Sequence, residues 1–180
     1  MMMSPERNSV SNKIPATRPG SMKGVEVLLR GSGAGISVRS LSGTFGQIGV
    51  ISADANLLLG PPGFTLSVGG SKRATTVKIG TKDFSQVFTF ARVGVQMSFL
   101  VGGSRLRAQV GGWGYVPTEV KEMKIGGEGE ASIIYTPPVV PIYVQLGYRT
   151  EVFTSKSGTT LAPEEIRGLR LGAGFQFGGK

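Results

Sequence analysis

The last strand-like segment, residues 167–177, constrains the fold more than any other part of the chain. From position 169 its odd-numbered residues are Leu, Leu, Ala, Phe and Phe, whereas the even-numbered residues from 168 are Gly, Arg, Gly, Gly and Gln. Side chains on a β-strand alternate between two faces, so one face is apolar and the other is small or polar. A soluble sheet would carry bulkier solvated groups on its polar face. This pattern is typical of a transmembrane β-barrel, with apolar groups outward and small polar groups in a confined lumen.

The composition excludes several kinds of function. The chain of 180 residues contains no cysteine and no histidine, which removes thiolate chemistry, histidine-based triads and ordinary zinc sites. Composition alone leaves catalysis by a carboxylate or a lysine open, but we predict no catalysis, no cofactor and no metal. The net charge of +9 favours anionic neighbours. No apolar run approaches the ~20 residues of a membrane-spanning helix, but strands that span a membrane carry no such run.

Period-two alternation recurs along the chain and predicts the fold. The segments with this pattern lie at about 24–33, 47–59, 63–70, 92–101, 105–110, 128–135, 142–151 and 167–177. Tight connections at 60–63, 102–104 and 137–141 alternate with long ones at 34–46, 71–85, 114–126 and 154–165. The sequence therefore predicts an all-β fold, an up-and-down antiparallel transmembrane β-barrel of about eight strands. An even strand number would place both termini on the rim with the short turns.

The N-terminal segment has a different character from the rest. Residues 1–22 are polar and contain Pro and Asn, and we interpret them as a disordered N-terminal tail, native or left by cloning. The barrel domain is predicted to occupy residues 23–177. The first seven residues lack an apolar core, so no signal peptide is visible.

Over residues 23–177 the chain resembles the small bacterial outer-membrane barrels of the OmpA transmembrane-domain and OmpX type. The most specific element is the final strand ending in Phe177, which is similar to the signal read by the barrel-assembly machinery. The resemblance implies location in the bacterial outer membrane. It also implies that outer-membrane lipid and the barrel-assembly machinery are partners of this chain.

Charged residues recur on the predicted inward faces. Arg105 and Arg107 are expected to pair with Glu128 and Glu130 of the next strand, because unpaired buried charges are costly. A lumen of ~8 strands is only wide enough to be filled by side chains, so a structural plug is favoured over an ion or proton path. The predicted lumen charge network comprises Arg30, Asp54, Arg92, Arg105, Arg107, Glu128, Glu130, Arg149, Glu151 and Arg170.

The opposite faces are predicted to contact lipid. Trp113, Tyr115, Tyr148 and Phe153 lie near strand ends and could form interfacial girdles, although Trp113 shares the parity of the inward arginines and could cap the lumen instead. The predicted lipid-facing residues are Val93, Val95, Met97, Phe99, Leu169, Leu171, Phe175 and Phe177.

The connection at 71–85 is rich in positive charge. Lys72, Arg73, Lys78 and Lys82 are opposed there only by Asp83. This loop is a candidate anion-binding site, for instance for an anionic glycolipid, and the alternative is a solvated basic loop. Nucleic acid is not expected as a partner, since no aromatic residues are interleaved with these charges.

These features favour a non-enzymatic outer-membrane barrel with a structural, adhesive or envelope-organising role. A first alternative is a soluble all-β module, a sandwich or a lipocalin-like barrel, from a particle or secretion assembly. A second alternative is a narrow porin. A barrel enzyme acting on lipid is disfavoured because the chain has no histidine. The sequence does not identify further protein partners.

Overall fold

The computed structural model describes residues 18–79, 81–118, 123–155 and 164–178. Within these ranges all regular structure is β-strand, and no helix there is long and apolar enough to cross a membrane. The strands are β1 (Arg18–Arg30), β2 (Ala34–Phe45), β3 (Ile48–Leu59), β4 (Phe64–Ile79), β5 (Lys82–Leu100), β6 (Leu106–Pro117), β7 (Met123–Tyr135), β8 (Ile142–Ser155) and β9 (Glu164–Phe177).

The strands form a single closed barrel in sequence order, which confirms the predicted all-β barrel of about eight strands. Consecutive strands pair antiparallel, whereas β1 and β9 close the barrel in parallel. The strand that the sequence analysis missed is β2, which occupies the expected loop at 34–46. Its outward face changes from Ile36 and Val38 to Ser40, Ser42 and Thr44, so only its first half shows apolar alternation.

The ninth strand changes where the chain starts and ends. The turns at 31–33, 60–63, 101–105 and 136–141 share one rim, here called the short-turn rim, and β9 also ends there beside the end of β1. The start of β1 lies at the opposite rim. The prediction that both ends of the barrel lie on the short-turn rim is therefore wrong. β1 also begins at Arg18, before the predicted domain start at 23, while residues 1–17 of the predicted tail lie outside the described residues.

The long loops predicted on the opposite rim are mostly strand. β2 and β3 join through a two-residue turn at Gly46, whose φ of 63° suits glycine. β4 and β5 remain paired as far as Ile79 and Lys82, so the segment 71–85 is a hairpin. Most of 114–126 belongs to β6 and β7, and of 154–165 the residues 156–163 lie outside the described residues.

The distribution of side chains is inverted relative to a soluble protein. Among the described residues, the buried set contains 19 polar or charged side chains and 13 hydrophobic ones. In contrast, 33 large hydrophobic side chains are exposed, and they occur on every strand. The inward face of each strand is thus mainly polar, and the outward face is mainly apolar.

Inward glycines make room for large inward side chains. Trp113 of β6 is buried in the lumen, and its indole lies against Gly94 of β5 and Gly111 of its own strand. A Cβ atom at either glycine would overlap the ring. A narrow barrel can hold a tryptophan in its lumen only because these two neighbours have no side chain.

We expect Gly94→Ala to lower the free energy of unfolding by about 1–3 kcal/mol, because the added methyl group meets both the Trp113 ring and a backbone carbonyl. Gly112→Ala is the matched control, since its Cβ would lie 3.7 Å from the Glu128 carbonyl oxygen, an ordinary contact. Urea unfolding of the folded variants measures both. Equal stability of the two would contradict the placement of Trp113.

Candidate functional site: the charged lumen

The lumen has three levels between the two rims. Next to the opposite rim, hydrophobic side chains close it in two clusters. At mid-height, arginines and carboxylates fill the cross-section. Toward the short-turn rim some inward residues, such as Gln96, Gln109 and Gln176, are partly exposed, whereas others, such as Arg30, Thr65 and Tyr143, stay buried. The first cluster contains Met22, Leu41, Phe45, Ile48, Val50 and Ile166, and the second contains Phe88, Phe90, Tyr115 and Phe153.

Glu128 of β7 is the centre of the charged level. Its carboxylate accepts a hydrogen bond from Arg92 at 3.0 Å and lies 3.0 Å from a guanidinium nitrogen of Arg149. Arg39 approaches it at 3.4 Å, and the Tyr115 hydroxyl donates to the same carboxylate. Four strands other than β7 therefore converge on one buried carboxylate through charge-assisted hydrogen bonds.

Asp54 forms a second centre on β3. Arg39 donates to the Asp54 carboxylate from Nε at 2.8 Å and from a terminal nitrogen at 2.5 Å. The Ser71 hydroxyl donates to its other oxygen at 2.6 Å. Because Arg39 also reaches Glu128, this arginine links the two carboxylates across the lumen.

Two further carboxylates complete the network. Glu151 of β8 pairs with Arg73 and with Arg149. Glu130 of β7 pairs with Arg170 and accepts a hydrogen bond from the Gln145 amide at 2.8 Å. Every buried carboxylate of the described lumen is thus ion-paired with at least one arginine.

Aromatic rings join the charged level to the closed end. The Arg92 guanidinium lies 4.4 Å from the centre of the Trp113 ring, and Arg73 lies 4.5 Å from that of Phe153. Phe90 packs against Tyr115 and Phe153 with ring centres 5.6 and 5.3 Å apart. The arginines are therefore held by carboxylates on one side and by aromatic faces on the other.

The structure places nine of the ten predicted network residues on the lumen side, but not with the predicted partners. Arg105 lies in the turn before β6 and is exposed. Arg107 donates to the Gln176 side chain at 3.2 Å, and in the register of β6 with β7 it lies opposite Ile134. The expected pairs of Arg105 and Arg107 with Glu128 and Glu130 are wrong because the true register sets Trp113 and Gly111 beside those glutamates.

Sequence reasoning missed four residues of the lumen. Arg39 was lost with strand β2, although its parity with Ser37 and Leu41 would have placed it inward once that strand was recognised. Arg73 was assigned to the basic loop, but it is buried in the lumen. Tyr115 and Phe153 were considered for an interfacial girdle, and both are buried inside.

The remaining residues of the predicted basic loop do not form one site. Lys72 is exposed on the outward face of β4. Near the tip of the hairpin Lys78 lies opposite Asp83 and Lys82 lies opposite Ile79, so the two lysines belong to opposite faces. Residues 82–87 of β5 pair with β4 and are exposed.

The eight residues predicted to face lipid all lie on the outer surface. Their exposed fractions range from 39% for Met97 to 60% for Leu169, which is high for large apolar side chains in a folded chain. This confirms their outward orientation. Contact with lipid remains a prediction.

The described residues contain no group of three or more histidine, cysteine or acidic side chains that could hold a metal ion. Comparisons with known protein families, characterised proteins and solved structures found no match for this chain. Its function is therefore inferred from the geometry of the barrel.

We expect a double-mutant cycle of Arg39→Met and Asp54→Leu to give a coupling energy of about 1–3 kcal/mol, because the pair is buried and bonded through two nitrogens. Urea unfolding of the four proteins measures this coupling energy.

A second cycle, Arg107→Met with Glu128→Gln, serves as the control. Its coupling should lie within about 0.5 kcal/mol of zero, since the two side chains have separate partners. A larger coupling there would contradict the observed register.

Proposed function

We propose that this protein spans a membrane as a closed, non-conducting β-barrel with a structural role. The observation that carries the proposal is the inverted distribution of side chains, with polar groups inside and 33 large apolar groups exposed outside. Monomeric soluble proteins rarely expose apolar surface on this scale, because it drives association in water. Lipid tails can cover such an apolar surface without any protein partner.

The polarity of the outward-facing residues changes along the barrel axis, as expected for a protein that spans a bilayer. Five of the seven exposed aromatic residues lie at the short-turn ends of their strands, where a membrane interface favours them. The other two are Tyr148, in the middle of β8, and Phe84, in the β4–β5 hairpin. Polar residues replace apolar ones on the outward faces nearer the opposite rim, including Lys23, Ser40, Lys72 and Arg167. An apolar belt between these levels matches the hydrocarbon layer. The five aromatic residues at the short-turn ends are Phe64, Phe99, Tyr135, Phe175 and Phe177.

The lumen supports a structural role over transport. Ion pairs fill its mid-height, and aromatic and aliphatic side chains close one end. An acid–base catalyst needs a carboxylate that is free to exchange a proton, whereas the buried carboxylates here are ion-paired with arginines. These features favour a barrel whose interior stabilises the fold, and they count against the porin and enzyme alternatives.

The bacterial outer membrane is the location we propose, with outer-membrane lipid and the barrel-assembly machinery as partners. The final strand ending in Phe177 supports this. The nine strands depart from the even number expected of single-chain bacterial barrels, so the likeness to the OmpA and OmpX type extends to architecture and not to strand count. The β4–β5 hairpin, with the exposed Lys78 and Lys82 near its tip, would carry any adhesive or glycolipid contact.

We expect Val95→Arg to lower the stability of the protein in lipid vesicles by about 2–4 kcal/mol, because Val95 lies in the apolar belt. Thr44→Arg is the matched control. It is also exposed, but it lies at the opposite rim where the outward residues are polar. Its cost should be below about 1 kcal/mol.

The two variants distinguish a membrane protein from a soluble one. Both positions face outward, so water would accept arginine equally well at each. Equal stability of Val95→Arg and Thr44→Arg, together with a monomeric folded state in buffer without detergent, would overturn the proposal and favour the soluble all-β module.

Planar-bilayer recordings test the closed lumen directly. We expect no large steady conductance from the wild-type protein, because ion pairs and hydrophobic clusters fill the cross-section. Stable channels of high conductance would replace the structural role with that of a narrow porin.

A further inference from the structure

The short-turn end of the lumen contains a small cavity, here called the mouth cavity. Its volume is about 60 Å³, which suits an ion of a few heavy atoms and is far below the size of pockets for organic ligands. Several of its lining residues, including Gln96, Gln109 and Gln176, are partly exposed, so this end of the lumen is accessible from water. The hydrophobic clusters close the other end.

The charged residues lining the mouth cavity are unbalanced. They comprise five arginines and a single carboxylate, Glu26, which receives hydrogen bonds from the hydroxyls of Ser37 and Tyr143. Arg39, Arg92 and Arg170 are neutralised by carboxylates at mid-height. Arg30 and Arg107 remain as the surplus positive charge.

Neither Arg30 nor Arg107 has an ion pair among the described residues. Arg30 donates to the Gly60 carbonyl and the Thr65 hydroxyl, both at 2.8 Å, and Arg107 donates to the Gln176 amide oxygen. All three acceptors are neutral. Both side chains line the mouth cavity. Glu26 can offset at most one of these two charges, so the opening keeps an excess of positive charge that favours an anion.

Arg30 is the more enclosed of the two charged residues. It is only 8% exposed, and it has no ion pair in the described part of the chain. A buried guanidinium group without a counter-charge is unfavourable, so an anion bound in the mouth cavity would stabilise it.

We propose that the mouth cavity binds a small oxyanion of the phosphate class, with Arg30 and Arg107 as its charged ligands. The planar fork of a guanidinium group matches two oxygens of such an ion better than a point charge does. The site is independent of the membrane proposal, because it requires only the closed barrel and its open end.

Arg107→Gln is the decisive variant. Arg107 is partly exposed and its one side-chain partner in the described residues is Gln176, so its replacement should leave the barrel folded. Arg105→Gln is the matched control, since Arg105 lies two residues away on the same rim, is exposed, and loses the same charge. Arg30 is less suitable because it also bonds the β3–β4 turn.

The experiment is calorimetric titration of inorganic phosphate into the full-length protein, folded in a non-ionic detergent that carries no phosphate, at fixed ionic strength. We expect saturable binding with one ion per barrel. Arg107→Gln should weaken it by roughly tenfold or more, which is the loss of one charge-assisted hydrogen bond, and Arg105→Gln by less than about twofold.

Two outcomes would overturn the site. Absence of saturable binding would mean that water alone satisfies the cavity donors. Equal weakening by both variants would mean that phosphate senses only the net charge of the rim. Either result would leave the membrane proposal untouched, because that proposal depends on the outer surface and is tested by Val95→Arg.

Discussion

Closure of the sheet through the parallel pair of β1 and β9 is the constraint on which the rest of the structure depends. The pair runs over twelve register positions, from Arg18 with Ile166 to Leu29 with Phe177. It gives the first and last strands a second hydrogen-bonded neighbour and so leaves no open sheet edge along the barrel wall. Closure also creates an enclosed space that is separate from the outer surface. Only then can one face of every strand be polar and still be buried.

The enclosed lumen restricts which charged side chains it can hold. A lumen of nine strands has little room for water, so each charge within it needs a neighbour of opposite sign. The carboxylates of Asp54, Glu128, Glu130 and Glu151 supply this for the arginines at mid-height, and they come from β3, β7 and β8. Ion pairs between distant strands hold the barrel cross-section together from inside. They perform the task that an apolar core performs in a soluble protein.

The fold class could be predicted from the sequence because alternation with period two is a local property. Which charges meet could not be predicted, because that depends on register and on strand number. Because β2 was not predicted, Arg39 was absent from the predicted charge network, although it pairs with both Asp54 and Glu128. The serines and threonine on the outward face of β2 concealed it, since the alternation was judged by apolar residues alone. Arg73 was assigned to a loop because lysines flank the hairpin, although its parity with Ser71 places it in the lumen.

One end of the lumen is hydrophobic and the other is positively charged, and this difference determines which end could bind a ligand. Hydrophobic side chains near the opposite rim exclude water and need no counter-charge, so that end can close without any ligand. The short-turn end carries Arg30 and Arg107, which have no carboxylate partner among the described residues. Burial of an unpaired charge is costly, so contact with water or with an anion would stabilise this end. The surplus of positive charge and the access to water at this end are therefore linked, because the charge is stabilised by contact with water or an anion. A barrel built only for mechanical stability would be expected to neutralise both ends. The arginines that remain at the mouth are the part of the lumen that the proposed structural role does not explain.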